Sequence, residues 1–372
     1  MGWMRVEIDR DVLRNNLRVV KRLIPQRTGI AAVVKSGAYG HGMIETARVF
    51  VQEGVETLAV SLPHEGVELR DAGFTHPVLL LGGFFIEEAE TVVKNGLSPV
   101  VSCAESIDAL AEAACKLDRA VKVHLKVDTG MGRRGCGEGE LKELLNCIAG
   151  HRELVLEGLL SHLSVADLEG EDAREYTLSQ LERFQHIVEW VRSAGFNPKW
   201  IHIANSAAIV RYPQSHHTLV RPGIVLYGGL EGFEQAREAM RVSSRLIEVR
   251  RVKKGASLSY GRTFVAPRDM LLGIVPVGYA TGYLRGYSNK GAMLVGGKRV
   301  PIVGTVCMDL TLLDLSDVPG AQLGDEVVLL GNQGDERISV FELARWLGTI
   351  TYEVFCLLGN NPFGERHYRS GS

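Results

Sequence analysis

The stretch AAVVKSGAYGHG, residues 31–42, joins a short apolar run to a lysine and then to small residues around a tyrosine. Ala31 to Val34 have the composition of a buried β-strand. An ammonium group is out of place at the end of such a strand, because lysine is almost never fully buried without a partner. Lys35 is therefore either an edge residue whose charge reaches water or a reactive amine.

Outward from this stretch, strand-like runs alternate with segments of helical periodicity such as 42–54, 104–117 and 172–195. Eight buried strands that alternate with helices predict a (β/α)8 TIM barrel, because crossover helices cover both faces of a parallel sheet. A doubly wound open sheet is the alternative, but no G-x-G-x-x-G follows the first strand. The predicted strands are 30–35, 57–62, 77–82, 98–102, 121–128, 156–164, 200–205 and 219–228.

After about residue 237 the sequence changes to short β-branched runs broken by glycines. A single amphipathic helix is predicted there, at 339–348, and VGGKR at 295–299 has the pattern of a hairpin turn. The fold class predicted is α/β, with an N-terminal (β/α)8 barrel over 1–237 and a mainly β C-terminal domain over 238–372. The strand-like residues 1–9 are open to packing on the C-terminal domain instead.

The composition excludes several classes of function. The 372 residues are 45% hydrophobic and 23% charged with a net charge of −2, so nucleic acid and anionic membranes are not expected partners. The charged N-terminus and the absence of a long uncharged apolar run predict neither a secretion signal nor a membrane span. Six scattered cysteines, without a C-x-x-C pair or a matching histidine spacing, favour a reducing cytoplasm and predict no metal site.

Polar residues recur where the predicted barrel strands end, which is where barrel enzymes build their sites. Taken singly, each is more often a capping or core residue, but together they favour a pocket that binds anions and handles protons. Ser206 and Gly223 follow strands seven and eight, whose loops often hold phosphate in barrels. Burial would lower the pKa of Lys35 and favour its neutral, reactive amine. A phosphate site at strands seven and eight together with this amine predicts pyridoxal phosphate bound as a Schiff base.

The chain resembles the bacterial alanine racemases, which are fold-type III pyridoxal phosphate enzymes, over nearly its whole length. The resemblance rests on nine motifs in the same order: AVVKSGAYGHG (32–42), KVDTGMGRRG (126–135), SHLSVAD (161–167), HIANSAA (202–208), RPGIVLYG (221–228), SYGRTF (259–264), GYATGYLR (278–285), VGTVCMD (303–309) and TYEVFC (351–356). It implies interconversion of L- and D-alanine, which supplies D-alanine for peptidoglycan, in a homodimer with shared active sites.

The resemblance also implies roles for individual residues. Lys35 would hold the cofactor and act as one base, and Tyr260 of the partner subunit would be the base on the opposite face. Arg221 would face the pyridine nitrogen and would itself be hydrogen-bonded by His162. The phosphate would be held by Tyr39, Ser206, Gly223, Ile224 and Tyr352.

The substrate side of the site is implied in the same way. Arg133 would contact the cofactor and the substrate carboxylate, Met308 of the other chain would support that carboxylate, and Tyr279 would line the entrance. Lys126 matches a lysine that is carbamylated in some members and orients Arg133. Two positions differ from the usual pattern. Gly37 stands where an asparagine or aspartate is common, and Thr281 stands where an aspartate is usual.

Three other functions stay open at this stage. The nearest is a broad-specificity or serine racemase of the same family. An amino-acid decarboxylase on a related fold would need an acidic partner for the pyridine nitrogen, where this chain has Arg221. A non-catalytic pyridoxal phosphate carrier would use a similar barrel and lysine, but it would lack the second domain.

Overall fold

The computed structural model describes residues 3–361 and 364–371. The chain divides into two compact units. The barrel unit comprises residues 17–36 and 47–226, and the β unit comprises residues 1–16, 37–46 and 227–372. Within the described ranges, no helix has the length and apolar character needed to cross a membrane.

After a first strand, β1 (Met4–Asp9), eight short strands form the barrel unit in a parallel sheet. Apolar side chains dominate these strands and most are buried, as a parallel sheet covered on both faces requires. The spatial order along the sheet is the chain order, with β9 beside β2. The strands are β2 (Gly29–Val33), β3 (Thr57–Val60), β4 (Val78–Leu80), β5 (Ser98–Val101), β6 (Val121–Lys126), β7 (Leu154–Leu160), β8 (Trp200–His202) and β9 (Leu219–Val220).

Two backbone hydrogen bonds close the ring between β8 and β9. Thr218 N donates to Ile201 O at 3.2 Å, and Arg221 N donates to Ala204 O at 3.0 Å. The predicted fold class is thereby confirmed. The predicted extents of the last strands are too long, and 219–228 is wrong beyond Val220, because Pro222 has no N–H for a ladder and the chain turns into a 3-10 helix at Ile224–Tyr227.

Helices follow most of the strands and bury one face each. In α6, for example, Ile107, Leu110 and Ala114 recur every three or four residues and are buried. One segment differs, because the turn α2 is left-handed. The helical segments are α1 (Arg10–Leu23), α2 (Lys35–Tyr39), α3 (Met43–Gln52), α4 (Pro63–Asp71), α5 (Ala89–Lys94), α6 (Ala104–Lys116), α7 (Leu141–Gly150), α8 (Glu171–Ser193) and α9 (Ser206–Arg211).

The β unit is built around a mixed sheet in the order β16-β15-β18-β10-β1-β20, with β19 paired to β18. β1 runs antiparallel to β10 and parallel to β20 in this sheet. Two smaller sheets pair β11-β14-β17 and β12-β13. The strands are β10 (Met240–Arg245), β11 (Glu248–Val252), β12 (Ser257–Leu258), β13 (Phe264–Val265), β14 (Met270–Val275), β15 (Ala292–Val295), β16 (Lys298–Pro301), β17 (Thr311–Asp314), β18 (Glu326–Gln333), β19 (Glu336–Ile338) and β20 (Gly364–Arg369).

The predicted hairpin at 295–299 is confirmed. Val295 pairs with Lys298, and Gly296 and Gly297 between them have φ angles of 58° and 74°, which only glycine adopts readily. The predicted helix at 339–348 is present as α10 (Val340–Leu347). The prediction of a single helix in this region is wrong, because α11 (Thr351–Gly359) follows, and its apolar residues lie on several faces and give little helical periodicity.

Candidate active site

Lys35 follows β2 after one buried residue, Val34, and begins α2, and its side chain is half-buried in the barrel unit. The backbone after it is fixed by Glu65, which sequence reasoning missed. The Glu65 carboxylate is buried and accepts hydrogen bonds from Ser36 N, from Ser61 N at 2.7 Å and from Leu62 N at 3.0 Å. This single carboxylate therefore ties the loop after β2 to the loop after β3, and it restrains the backbone beside Lys35.

The turn after Lys35 has an uncommon backbone. Ser36, Gly37, Ala38 and Tyr39 have φ angles of 54°, 62°, 54° and 53°, which places three non-glycine residues in the left-handed region. At Gly37 an added Cβ would lie 2.4 Å from Asn360 Oδ1. The absence of a side chain at position 37 thus matches the approach of Asn360, which gives this departure from the family pattern a local physical reason.

Tyr39 itself is buried in the β unit among aromatic rings. Its ring centroid lies 4.9 Å from that of Tyr227 and 5.8 Å from that of Tyr352. His41 packs beside them, with its ring centroid 4.6 Å from that of Tyr227 and 4.9 Å from that of Phe355. Tyr39 and Tyr352, predicted to act together, are therefore neighbours.

Arg221 follows β9 and is almost fully buried, and its two terminal nitrogens carry many hydrogen bonds. Nη1 donates to His202 Nδ1 at 2.7 Å and to His202 O at 2.9 Å, and Nη2 donates to Ser161 O at 2.8 Å and His162 Nδ1 at 3.1 Å. In the described part of the chain, no hydrogen bond engages Arg221 Nε. This N–H is consequently available for a ligand atom.

A chain of histidines extends from Arg221 through the barrel unit. His202 Nε2 lies 2.9 Å from His124 Nδ1, and His124 Nε2 lies 3.6 Å from the Glu157 carboxylate. Because Arg221 can only donate, His202 Nδ1 must accept, so Nε2 carries the proton of His202 and the same reasoning applies to His124. We name Glu157, His124, His202 and Arg221 the histidine chain. The sequence did not predict it, because His124 and His202 are 78 residues apart along the chain.

The charge states along the histidine chain follow from burial and from neighbouring charges. Burial, with the positive charge of Arg221 second, holds the pKa of His202 well below its ordinary value. Burial likewise lowers the pKa of His124. The pKa of His162 is lowered by burial and by the positive charge of Arg221, with smaller contributions from the charges of Lys126, Arg133 and Lys35. The histidines are therefore neutral at pH 7. Lys35 and His162 follow the carboxyl ends of β2 and β7, and in a parallel barrel these ends lie on the same rim.

Lys126 is the last residue of β6, and Arg133 belongs to the loop that follows it. Burial and the charges of neighbouring arginines lower the pKa of Lys126 to about 8. The Asp128 carboxylate accepts hydrogen bonds from the N–H groups of residues 130, 131 and 132 at 2.8–2.9 Å, which folds the loop tightly. Arg134 Nη2 donates a hydrogen bond to Val100 O at 2.7 Å, whereas the side chain of Arg133 is exposed. Of the two adjacent arginines, Arg133 is thus the one available to a ligand.

Ser206 begins α9 and organises the loop after β9. Its Oγ accepts hydrogen bonds from Gly223 N at 2.9 Å and from Val225 N at 3.3 Å. Asn205 caps α9, since its side chain accepts a hydrogen bond from Ala208 N at 3.0 Å. Ile224 begins a 3-10 turn, and the first N–H groups of such a turn lack internal partners. The Ser206 hydroxyl therefore holds the start of α9 against the turn that contains Gly223 and Ile224.

In the β unit, Tyr260, Met308 and Tyr279 lie on exposed turns. The side chain of Tyr260 is 72% exposed and that of Met308 is 54% exposed. Thr305 Oγ1 donates a hydrogen bond to Tyr260 O at 2.8 Å. Tyr279 N donates to Cys307 O at 3.1 Å, so the segments carrying Tyr279 and Met308 are adjacent.

Thr281, the second departure from the family pattern, supports the turn that carries Tyr279. Its hydroxyl accepts a hydrogen bond from Gly278 N at 3.1 Å and lies 2.9 Å from Gly278 O. Its own carbonyl accepts a hydrogen bond from Asn361 Nδ2 at 3.0 Å. A threonine at this position therefore stabilises the turn by hydrogen bonds to the Gly278 backbone and adds no charge there.

Comparisons with known proteins agree with this arrangement. The models of the alanine racemase N-terminal and C-terminal domains match residues 8–231 and 239–364. An alanine racemase of Geobacter sulfurreducens is 43% identical, and the match covers 94% of this chain and 93% of the relative.

Solved structures give the same result. The crystal structure of an alanine racemase from Bacillus anthracis with bound L-Ala-P has a TM-score of 0.90 at 35% identity, over 96% of this chain and 93% of the other. One from Bartonella henselae with covalently bound pyridoxal phosphate has a TM-score of 0.88 at 26% identity, over 99% of this chain and 100% of the other. Because both domain models together match most of the sequence, this chain belongs to the alanine racemase family, a family of pyridoxal phosphate-dependent isomerases.

Proposed function

We propose that the chain interconverts L- and D-alanine with pyridoxal phosphate held at Lys35, and that Lys35 and Tyr260 act as the two bases. The observation that carries the proposal is the buried Arg221, which engages both terminal nitrogens in the barrel and leaves its Nε–H to a ligand at the carboxyl ends of the strands, where Lys35 also lies. A decarboxylase would need a carboxylate at this position, so the basic residue favours the racemase.

The residues present fit pyridoxal phosphate. The half-buried amine of Lys35 suits covalent attachment to the aldehyde, and Arg221 Nε–H suits the ring nitrogen as a donor. The turn that Ser206 holds around Gly223 and Ile224, at the start of a 3-10 helix, suits a phosphate. When bound, pyridoxal phosphate accepts electron density from the α-carbon of an attached amino acid.

Inversion of the α-carbon requires one base on each face. One group removes the proton and the other delivers a proton to the opposite side. Lys35 Nζ and Tyr260 Oη are proposed for these two positions, and each exchanges its role when the reaction runs in reverse. Positioned acid–base groups of this kind typically contribute about 10²–10⁴-fold each to the rate.

Tyr260 is proposed to act in the site of a second copy of the chain. Tyr260 is 72% exposed and Met308 is 54% exposed, and exposed large apolar side chains of this kind are typical of a surface that binds a partner. A homodimer with shared active sites would use both residues, with the Met308 backbone amide supporting the substrate carboxylate and Tyr279 lining the entrance. The six cysteines, all free, support a cytoplasmic location.

Lys126 is proposed to carry a carbamate that orients Arg133 toward the substrate carboxylate. With a pKa of about 8, Lys126 has a substantial neutral fraction near pH 7.5, whereas an ordinary lysine with a pKa of about 10.4 has almost none. The neutral amine forms an N–C bond to carbon dioxide and releases one proton. Carbon-13 NMR of protein equilibrated with labelled bicarbonate tests this, and the carbamate signal should be missing in Lys126→Ala.

The main test is a chiral assay in deuterium oxide with L-alanine and, separately, L-serine. Wild-type protein should produce D-alanine with deuterium at the α-carbon. Tyr260→Phe should retain the visible absorbance of the cofactor, lose racemisation, and exchange the α-proton of one enantiomer only. Tyr287→Phe is the control, because burial raises the pKa of Tyr287 and excludes it as a base, and its activity should match wild type.

The outcomes separate the alternatives. Equal rates on serine would indicate a broad-specificity or serine racemase. Bound cofactor without exchange of any α-proton would overturn the enzymatic proposal and favour a pyridoxal phosphate carrier. Unchanged racemisation in Tyr260→Phe would exclude Tyr260 as the second base.

A further inference from the structure

Asp108, Cys147 and His151 form a compact group of side chains in the barrel unit, which we name the α6–α7 cluster. Asp108 lies in α6, Cys147 lies in the last turn of α7, and His151 follows the end of α7. Cys147 Sγ lies 3.5 Å from Asp108 Oδ1, and His151 Nε2 lies 3.1 Å from the same oxygen. All three ligand-type atoms lie within 4.8 Å of one another.

The two separations from Asp108 Oδ1 match the edges of a tetrahedral zinc site. With Zn–S near 2.3 Å, Zn–N near 2.0–2.1 Å and Zn–O near 2.0 Å, tetrahedral angles place sulfur about 3.5 Å and nitrogen about 3.3 Å from the oxygen. The observed distances from Asp108 Oδ1 are 3.5 Å for Cys147 Sγ and 3.1 Å for His151 Nε2. Asp108 Oδ1 therefore already lies at zinc-site distances from both other ligand atoms.

The chemistry of the donors also selects among metals. Thiolate and imidazole favour zinc and similar divalent transition metals, whereas calcium and magnesium prefer sites built from oxygen alone. An isolated ion pair between Asp108 and His151 would have no need of a thiol at the same carboxylate oxygen. The convergence of three different ligand types on one point is what distinguishes the α6–α7 cluster from an ordinary surface ion pair.

We propose that the α6–α7 cluster is a zinc site, with Asp108 Oδ1, Cys147 Sγ and His151 Nε2 as ligands and water in the fourth position. Binding breaks the S–H bond of Cys147, forms the Zn–S bond and releases the proton to solvent. The site joins α6 to α7 and uses none of the residues assigned to the racemase reaction, so its role is structural. No motif in the sequence predicts this site, because Asp108 is distant from the other two residues along the chain.

The test uses cobalt as a spectroscopic probe on the dialysed holoenzyme. We expect one cobalt ion per chain with a thiolate-to-cobalt charge-transfer band, which zinc displaces and magnesium does not. Zinc at about 100 times its dissociation constant should raise the Tm by about 3 °C. Racemase activity and the cofactor absorbance should be unchanged by zinc.

Cys147→Ser should abolish the charge-transfer band and weaken metal binding at least about tenfold, and His151→Gln should weaken it similarly. Cys115→Ser is the matched control, because Cys115 is an exposed cysteine of α6 outside the cluster and its replacement should leave the band intact. The cofactor absorbance of each variant reports whether it is folded. Absence of a charge-transfer band in wild type, or its persistence in Cys147→Ser, would overturn the proposal.

Discussion

Replacing His202 by leucine removes the central member of the histidine chain. The substitution deletes the hydrogen bond from Arg221 Nη1 at 2.7 Å and the one to His124 Nδ1 at 2.9 Å. A hydrogen bond to a charged group contributes about 1.5–3 kcal/mol, and a buried acceptor left without a donor costs about 1–3 kcal/mol. Leucine recovers part of this by burying apolar surface, so we expect the free energy of unfolding to fall by about 3 kcal/mol.

This loss can be converted into measurable quantities. The entropy of unfolding is about 2.1 cal/mol/K per residue, or about 0.8 kcal/mol/K for 372 residues, so the Tm should fall by about 4 °C. Arg221 keeps its bonds to carbonyl groups but loses a lateral restraint, and a guanidinium displaced by about 1 Å should lower kcat/KM by up to about 100-fold. His202→Gln retains an acceptor for Arg221 and should show a smaller loss in both.

The assay compares the Tm, kcat/KM and the pH dependence of the cofactor absorbance. His216→Leu is the control, because His216 is also buried in the barrel unit and bonds to Ile209 O at 3.0 Å but lies outside the histidine chain. It should lower the Tm while leaving kcat/KM and the absorbance profile unchanged. If His202→Leu kept the wild-type kcat/KM and the wild-type pH dependence of the cofactor absorbance, the inference that the histidine chain positions Arg221 would be refuted.

Three further results are expected. Gly40→Ala should lower the free energy of unfolding by more than about 2 kcal/mol in urea titrations, because its φ is +81° and the new Cβ would lie 2.2 Å from Phe355 O. Gly73→Ala, with φ +86° and nothing within 4 Å, should lose only about 1–2 kcal/mol, and equal losses would contradict the steric argument. Burial lowers the pKa of His41 to about 3, so the unfolded state binds its proton first on acidification. Stability from this group is complete above about pH 6.5 and falls by up to about 1.4 kcal/mol per pH unit toward pH 3; an identical urea midpoint at pH 7 and pH 5 would speak against it. Ser206→Ala removes the acceptor for two backbone N–H groups and should raise the dissociation constant for pyridoxal phosphate about tenfold in a cofactor titration, with an unchanged constant counting against the phosphate site.

The sequence by itself determined the alternation of strands and helices, the (β/α)8 class and the hairpin at 296–297. These features follow from local chemistry, because buried parallel strands require continuous apolar runs and a tight hairpin requires glycines with positive φ. The sequence also placed Lys35 beside a strand, although the predicted strand 30–35 is too long, because β2 ends at Val33 and Lys35 begins α2. The helix α11 escaped prediction because apolar residues on several of its faces leave no periodic signal.

Only the tertiary structure decided which polar residues meet. His124 and His202 are 78 residues apart along the chain, and closure of the barrel makes them hydrogen-bonded neighbours at 2.9 Å. Glu65 fixes the backbone beside Lys35, and Asp108 joins Cys147 and His151, for the same reason. Periodicity reports whether a side chain is buried, but the partner that a buried polar group finds depends on strand order and register, which no local pattern encodes.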